Sequence, residues 1–189
     1  MTPQTLVTRA AATATAATLA LGTAVSAQQN PMVGGAPMFA DKTIVENAVN
    51  SADHEQLVAA VQAADLVDTL SSEGPFTVFA PTDAAFAEID RATLQALFER
   101  QNRDQLTEIL TCHVVAANAM SDAIAGMIAD DGGVHPIETV GGCTLQARMS
   151  GGTIEIEDEQ GRTATVTIAD VAQSNGVIHV IDTVLLPAM

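Results

Sequence analysis

The chain has 189 residues, with 23 acidic against 7 basic side chains and a formal net charge of −16. So strong a negative charge repels nucleic-acid phosphates, and no basic patch in the sequence offsets it, which argues against a nucleic-acid partner. Hydrophobic residues make up 48% of the chain, which excludes disorder, and two cysteines are too few for a dense disulfide framework or a four-thiolate metal site.

The first residues have the pattern of a signal peptide. Arg9 precedes a run of small and apolar residues over 10–25, and Val25-Ser26-Ala27 ends the run with the small side chains that a signal peptidase accepts. The run is about 16 residues long, shorter than the roughly 20 that a membrane span needs. We predict cleavage after Ala27, export to the periplasm or the extracellular space, and no integral membrane span.

A single domain follows the signal peptide. Prolines and glycines predict a flexible N-terminal arm over 28–40, and no repeat or second linker divides residues 41–189. A chain of this length can bury one substantial core. The predicted organisation is therefore a signal peptide at 1–27, an arm at 28–40 and one domain at 41–189.

The first half of this domain has helical periodicity. Thr43 and Glu46 form a capping-box pattern in front of a first amphipathic helix, and either Ser51 or Asp53 is placed to cap a second one. Helical spacing of apolar residues returns over 82–110. We therefore predict several short helices before residue 112.

Strand patterns dominate the second half. Five strands are predicted, over residues 76–80, 143–149, 153–157, 163–170 and 177–186. In the third of these Ile154 and Ile156 face inward, and Asn175-Gly176 is a strong turn signal before the last strand. Helices followed by strands predict the α+β class rather than a doubly wound parallel sheet.

Three segments resemble the signature segments of the fasciclin domain family. They are GPFTVFAPTDAAF over 74–86, ILTCHVV over 109–115 and NGVIHVIDTVLLP over 175–187, in the order and spacing of that family. The resemblance implies a fasciclin-like α+β fold, with N-terminal helices packed around a wedge-shaped, β-sandwich-like core. It also implies a non-enzymatic adhesion module that binds a cell-surface or extracellular-matrix protein or polymer, and we expect a monomer or a weak oligomer.

The resemblance also supplies candidate binding residues. Adhesion in the family has been assigned to a Tyr-His pair in the middle segment, and here Cys112 replaces the Tyr and leaves His113. It has also been assigned to acidic-aliphatic pairs, whose order is reversed in Ile181-Asp182. In the same segment His179 precedes Asp182 within an apolar strand. The candidates are His113, His179 and Asp182, and the alternative for the last two is a buried histidine beside a strand-end carboxylate.

The two cysteines, Cys112 and Cys143, have two interpretations. An exported protein favours a structural disulfide between them. The alternative is a nucleophile pair of Cys112 with His113, which is disfavoured because neighbouring residues of a strand point to opposite faces. We predict the disulfide.

Two other function classes stay open. Acidic turns at 155–159 and 130–133 can attract a cation, although neither has the ligand pattern of an EF-hand, and a solvated turn is the simpler interpretation. Among the function classes an enzyme ranks third. The segment that begins with His54-Glu55 resembles the start of a zinc-protease helix, but it lacks the second histidine that such a helix needs. We expect no catalysis, no metal and no cofactor, with an acidic ion- or small-ligand-binding protein of the cell envelope as the alternative function.

Overall fold

Helices dominate the first half of the domain and strands the second half in the computed structural model, which describes residues 30–188. The helices are α1 (Ile44–Ala48), α2 (Glu55–Ala63), α3 (Val67–Ser71), α4 (Asp83–Ala87), α5 (Arg91–Leu97), α6 (Arg103–Thr111) and α7 (Ser121–Asp130). The strands are β1 (Met32–Val33), β2 (Ala36–Pro37), β3 (Phe76–Pro81), β4 (Val114–Val115), β5 (Val134–Glu138), β6 (Thr144–Ser150), β7 (Thr153–Glu157), β8 (Thr163–Gln173) and β9 (Gly176–Ile181). This mixture confirms the α+β class.

Seven of the described strands form one sheet in the order β4-β3-β9-β8-β7-β6-β5. Its neighbouring strands are antiparallel except β3 and β9, which run parallel from the pair Phe76 and Gly176 to the pair Pro81 and Ile181. Gly176 sits so close to the Phe76 carbonyl that a Cβ at this position would collide with it, so the pairing requires a glycine. The turn before β9 accordingly consists of Ser174 and Asn175, one residue earlier than predicted, and β9 ends at Ile181 rather than at 186.

The loop between β5 and β6 nearly closes the sheet. Val140 N donates to the carbonyl of Val114 in β4 at 2.7 Å, which connects the two ends of the sheet. The predicted disulfide between Cys112 and Cys143 is present at this closure, with Cα atoms 5.4 Å apart. Cys112 caps the C-terminus of α6 and does not lie in a strand, so the strand argument against a nucleophile pair with His113 was wrong. The disulfide itself leaves no free thiol at Cys112.

The predicted arm is ordered over its described residues, 30–40. β1 and β2 form a hairpin there, and Val33 and Met38 are buried against the helices. The hairpin is held to the following helices because Ala52 N donates to the Gly34 carbonyl at 3.1 Å. Prolines and glycines alone predicted flexibility, whereas two apolar side chains supply the burial that fixes this segment. The predicted signal peptide lies outside the described residues, and the predicted domain boundaries stay predictions.

Helix starts are fixed partly by local and partly by distant side chains. The capping box of Thr43 and Glu46 is present at α1. At α2 the prediction of Ser51 or Asp53 as the cap was wrong, because the carboxylate of Asp83 accepts from the backbone N–H groups of Glu55 and Gln56 at 3.2 and 2.8 Å. A carboxylate from α4 therefore occupies the positive end of the α2 dipole.

The sheet separates two apolar cores. On β3, Val78 and Ala80 face the first core with α1–α6, whereas Phe79 faces the second core with α7 and β5–β8. This alternation follows from the two-residue period of a strand. Between residues 30 and 188, the structure contains no helix with the length and apolar character that crossing a membrane requires.

Candidate functional site

His113, the first predicted binding residue, is buried directly after α6. Its Nδ1 lies 2.8 Å from the Ile109 carbonyl, and its Nε2 accepts from Leu185 N at 2.9 Å. Because Nε2 accepts, Nδ1 carries the proton and the ring is neutral. Burial lowers the pKa of His113 to about 4. Both ring nitrogens are thus used to join α6 to the C-terminal segment.

His179, the second predicted residue, lies in the middle of β9 and is fully buried. Its Nδ1 accepts from Asp170 N at 3.3 Å, and its Nε2 donates to the Ala119 carbonyl at 2.8 Å. The ring stacks on Phe79 at a centroid distance of 5.8 Å. Burial lowers the pKa of His179, with the bond to Ala119 and the charge of Asp170 acting in the opposite direction.

Asp182, the third predicted residue, is exposed just after β9. Its Oδ1 accepts from Thr165 N at 2.7 Å and from Thr183 Oγ1 at 3.2 Å, so it fixes the start of β8. His179 bonds to other groups, and the two side chains share no hydrogen bond within the described chain. The three candidates therefore lie in separate places, and a binding role for each stays a prediction.

One of them, His113, lines a cavity of about 170 Å³ between α1, α2, α3 and the sheet. The lining side chains are mostly aliphatic and none is charged: Ile44, Val45, Ala48, Val49, Leu57, Val58, Val61, Gln62, Val67, Leu70, Val78, Leu110, His113 and Val114. The hydrophobic periodicity of the sequence did not predict this cavity. The available signal was composition, because five Phe and no Trp or Tyr leave few side chains large enough to fill space between helices.

A second cavity of about 30 Å³ shares part of the same wall, and His54 and Ser51 line its far side. His54 Nδ1 lies 2.8 Å from Ser51 Oγ, while His54 Nε2 has no hydrogen-bond partner among residues 30–188. Burial lowers the pKa of His54, and the charges of Asp53 and Asp83 oppose that shift. The shared wall consists of Ile44, Ala48, Leu57 and Val78.

The acidic turn after β7 is not the solvated tip that the sequence suggested. Asp158 is buried, and its carboxylate accepts from the backbone N–H groups of Gln160, Arg162 and Leu186 at 2.9 to 3.0 Å. It also forms an ion pair with the Arg162 guanidinium at 3.0 Å. Hydrogen bonds from the backbone of Thr144 and Ala188 lower the pKa of the neighbouring Glu159. The turn therefore anchors the C-terminal segment.

The second acidic turn is also engaged within the protein. Asp131 Oδ2 lies 2.6 Å from Nδ1 of His135, on the adjoining strand β5. Within residues 30–188, no group of three or more His, Cys, Asp or Glu side chains is arranged to hold a metal ion. Asp158, Glu159 and Asp131 at these two turns therefore have internal partners that compete with a cation.

The fold and sequence have clear relatives. The fasciclin domain family model matches residues 52–187. Protein sll1483 of Synechocystis is 40% identical over 172 residues, which cover 91% of this chain and 88% of that protein. Uncharacterized protein sll1735 of the same organism is 42% identical over 146 residues, which cover 76% of this chain and 96% of that protein.

A solved structure supports the same assignment at the level of the fold. It is a FAS1 domain pair from the insect cell adhesion molecule fasciclin I, with a TM-score of 0.69 and 19% identity. The similarity covers 77% of this chain and 51% of that one, so this chain spans about half of the pair. With the family match over most of the chain, and the two relatives of 40% and 42% identity, this protein belongs to the fasciclin domain family.

Proposed function

We propose that this protein is an exported, non-enzymatic interaction module that mediates adhesion by binding a cell-surface or extracellular-matrix protein or polymer. The observation that carries the proposal is membership of the fasciclin domain family over residues 52–187. The structurally similar domain pair comes from an insect cell adhesion molecule, which supports the same role. The predicted signal peptide supports export, and we propose that the protein acts as a monomer or a weak oligomer.

The occupied state of His113, His179 and Cys112 supports a non-enzymatic role. The rings of His113 and His179 bind backbone groups through both nitrogens, and Cys112 is held in the disulfide. General acid–base or nucleophilic catalysis needs such a group free to reach a substrate. These side chains instead join distant parts of the fold.

A surface suited to a protein partner lies on the β1–β2 hairpin. Met32 is 58% exposed and Phe39 is 38% exposed, and we call these two residues the hairpin patch. The two ends of the hairpin are joined, because Met38 N donates to the Pro31 carbonyl at 2.9 Å. Asn47 fixes the position of Phe39 by bonding to its backbone N–H and carbonyl at 3.0 and 2.8 Å. Large apolar side chains on a fixed backbone are the usual anchors of protein interfaces.

The adhesion proposal is tested by capture on immobilised protein comprising residues 28–189. Beads that carry the wild type should retain a defined surface protein or polymer from envelope extracts of the source, identified by mass spectrometry. A double variant, Met32→Ser with Phe39→Ser, should reduce retention by roughly tenfold if the hairpin patch anchors the partner.

Matched controls separate this result from charge and from general stickiness. Val134→Ser with Met149→Ser removes two exposed apolar side chains from β5 and β6 and should leave retention unchanged. An unrelated protein of equal negative charge should retain nothing specific. Equal capture by that acidic control would overturn the adhesion proposal.

The second candidate is an acidic ion- or small-ligand-binding protein of the cell envelope. The uncharged cavity beside α1 and α2 favours the small-ligand form of this candidate. The pairs of Asp158 with Arg162 and of Asp131 with His135 disfavour the ion form, because these carboxylates already have partners. A calcium titration followed by thermal unfolding tests the ion form, and a rise of the midpoint with calcium concentration would support it.

A further inference from the structure

The cavity beside α1, α2 and α3 is large for the interior of a protein. Close-packed cores contain few voids bigger than a water molecule, and this one measures about 170 Å³. Its lining atoms have no packing partners on the cavity side, and they lose the dispersion attraction that such partners supply. A molecule that fills the space restores those contacts.

The chemistry of the lining restricts what can fill the cavity. Although the chain has a net charge of −16, none of the lining residues is charged. His113 offers no free polar atom, because Ile109 and Leu185 occupy its two ring nitrogens. An ion deep in this cavity would lose its hydration without a charged partner, because the other polar side chain of the lining, Gln62, is exposed at the mouth, and such a loss is strongly unfavourable. The lining therefore selects an uncharged, apolar ligand.

The cavity has a mouth through which a small molecule can enter. Val49 at the end of α1 is 53% exposed, and Gln62 on α2 is exposed, whereas Ile44, Leu70 and Val78 line the deep part and are buried. Entry thus lies between the ends of helices. The hairpin patch does not contribute to the lining, so the site is independent of the proposed adhesion surface.

We propose that this cavity is a binding site for a small, uncharged apolar molecule, the size of one aromatic ring with a short alkyl substituent. The size follows from volume, because an engineered apolar cavity of about 150 Å³ stays dry and binds benzene. A ligand of about seven carbon atoms is therefore matched to the 170 Å³ found here. Toluene is the corresponding probe, and benzoate is a probe of the same ring with a charge.

The test is a methyl NMR titration of the folded wild-type protein with toluene. The methyl groups of Ile44, Leu70 and Val78 should shift in a saturable way, because these side chains line the cavity. Those of Leu145 and Ile156 should not shift, because they lie in the second core. Benzoate at equal concentration should shift neither set, because no cation in the lining compensates its charge.

A pair of matched variants locates the site. Ala48→Met places a longer side chain in the cavity wall and should weaken toluene binding by at least roughly tenfold. Ala59→Met makes the same change on an exposed position of α2 outside the lining and should leave the affinity unchanged. Circular dichroism of both variants checks that they are folded.

Three results would overturn the proposal. The first is the absence of saturable shifts at the lining methyl groups. The second is equal shifts in both cores, which would indicate general partitioning of toluene into the protein. The third is an equal response of the lining methyl groups to toluene and benzoate. If Ala48→Met fails to fold, the wild-type titration with its two probes still decides. Loss of adhesion in the hairpin-patch variant leaves all of these measurements unaffected, so the two proposals fail separately.

Discussion

The helical part and the β part of this domain pack their apolar side chains differently. In the helical part, three helices have only five residues each, and both cavities described above lie between one of them, α1, and the sheet. In the β part, Leu145, Ala147, Ile156 and Ala164 are completely buried on paired strands. Similar aliphatic composition thus leaves two cavities inside the helical core, whereas the opening of about 320 Å³ in the β part is a groove at the surface between α7, β7 and β8.

The difference comes from how each element places its side chains. Backbone pairing fixes the register of strands, so Ala147 lies opposite Ile156, and Ile156 lies opposite Ala164, alternating small with large. Five-residue helices are too short to be stable alone and depend on packing for their position. No phenylalanine lines the cavity beside α1, α2 and α3, and the aliphatic side chains there leave it unfilled. We therefore expect the β part to be the more rigid half.

The largest expected effect on the free energy of unfolding comes from truncating one isoleucine in each half. Ile156→Ala should reduce the free energy of unfolding by about 4 kcal/mol, because the packed strands cannot close the new space. Ile44→Ala should reduce it by about 2 kcal/mol, because Ile44 already borders two cavities and has fewer contacts to lose. Urea denaturation measures both. Equal losses would contradict the difference in packing.

The disulfide joins the two halves, and its removal should cause the next largest loss in the free energy of unfolding. Cys112 caps the end of α6 and Cys143 precedes β6, and the two cysteines are 31 positions apart in the sequence. Loss of this cross-link in Cys112→Ala with Cys143→Ala should reduce the free energy of unfolding by about 3.5 kcal/mol in the chain-entropy model. Denaturation of the wild type with a reductant should give a similar value. No change under either condition would show that the two halves associate without the link.

Acidification should weaken the helical part through His113. The folded protein holds this ring neutral with a pKa of about 4, whereas the unfolded chain titrates near 6.5. Between pH 4 and pH 6.5 the unfolded state binds more protons than the folded state. The contribution of His113 to the free energy of unfolding is therefore fully present above pH 6.5 and is lost as the pH decreases toward 4. The total loss is about 3 kcal/mol, of which about 2 kcal/mol appears by pH 5.

Replacing one histidine at a time tests whether His113 causes this pH effect. His113→Asn removes the titrating ring and should reduce the loss between pH 7 and pH 5 by about 2 kcal/mol, measured by urea denaturation. His135→Asn changes a ring on β5 and should leave the loss in place. If His113→Asn keeps the wild-type pH dependence, the effect belongs to other groups, such as His54 and His179, whose pKa values burial also lowers.

The smallest expected effects come from adding volume, and they have opposite signs in the two halves. Ala147→Met in the filled core should reduce the free energy of unfolding by about 2 kcal/mol through overpacking. Ala48→Met beside the cavities should raise it by about 1 kcal/mol by filling space. Thermal unfolding of the two variants compares them directly. Destabilisation by both would mean that the helical part is as tightly packed as the β part.

Sequence patterns predicted the features that depend on neighbouring residues. The capping box at Thr43 and the inward face of β7 follow from short-range spacing, and the structure has both of them. The three fasciclin-like segments also identified the fold, because they include β3, the end of α6 and β9.

Features that depend on distant residues were not predictable in the same way. Asp83 caps α2 across an interval of 28 residues, and the Asp158 carboxylate meets Leu186 N across the same interval. The local charge pattern suggested a solvated turn at Asp158, because such a pattern contains no information on which backbone groups fold against the carboxylate. The cavity was missed for a related reason, because periodicity identifies inward faces but does not measure whether their volumes fill the space.

The parallel pairing of β3 with β9 has a consequence for how the chain folds. Phe76 and Gly176 are about 100 residues apart in sequence, yet they start the pairing between the second and third strands of the sheet, β3 and β9. Contacts between such distant residues raise the contact order and slow folding, typically toward milliseconds to seconds. Until β9 is available, β3 has only the two-residue strand β4 beside it. The parallel pair therefore forms only after β9 has been synthesised, and a shortened chain that ends before Gly176 should fail to form the complete sheet.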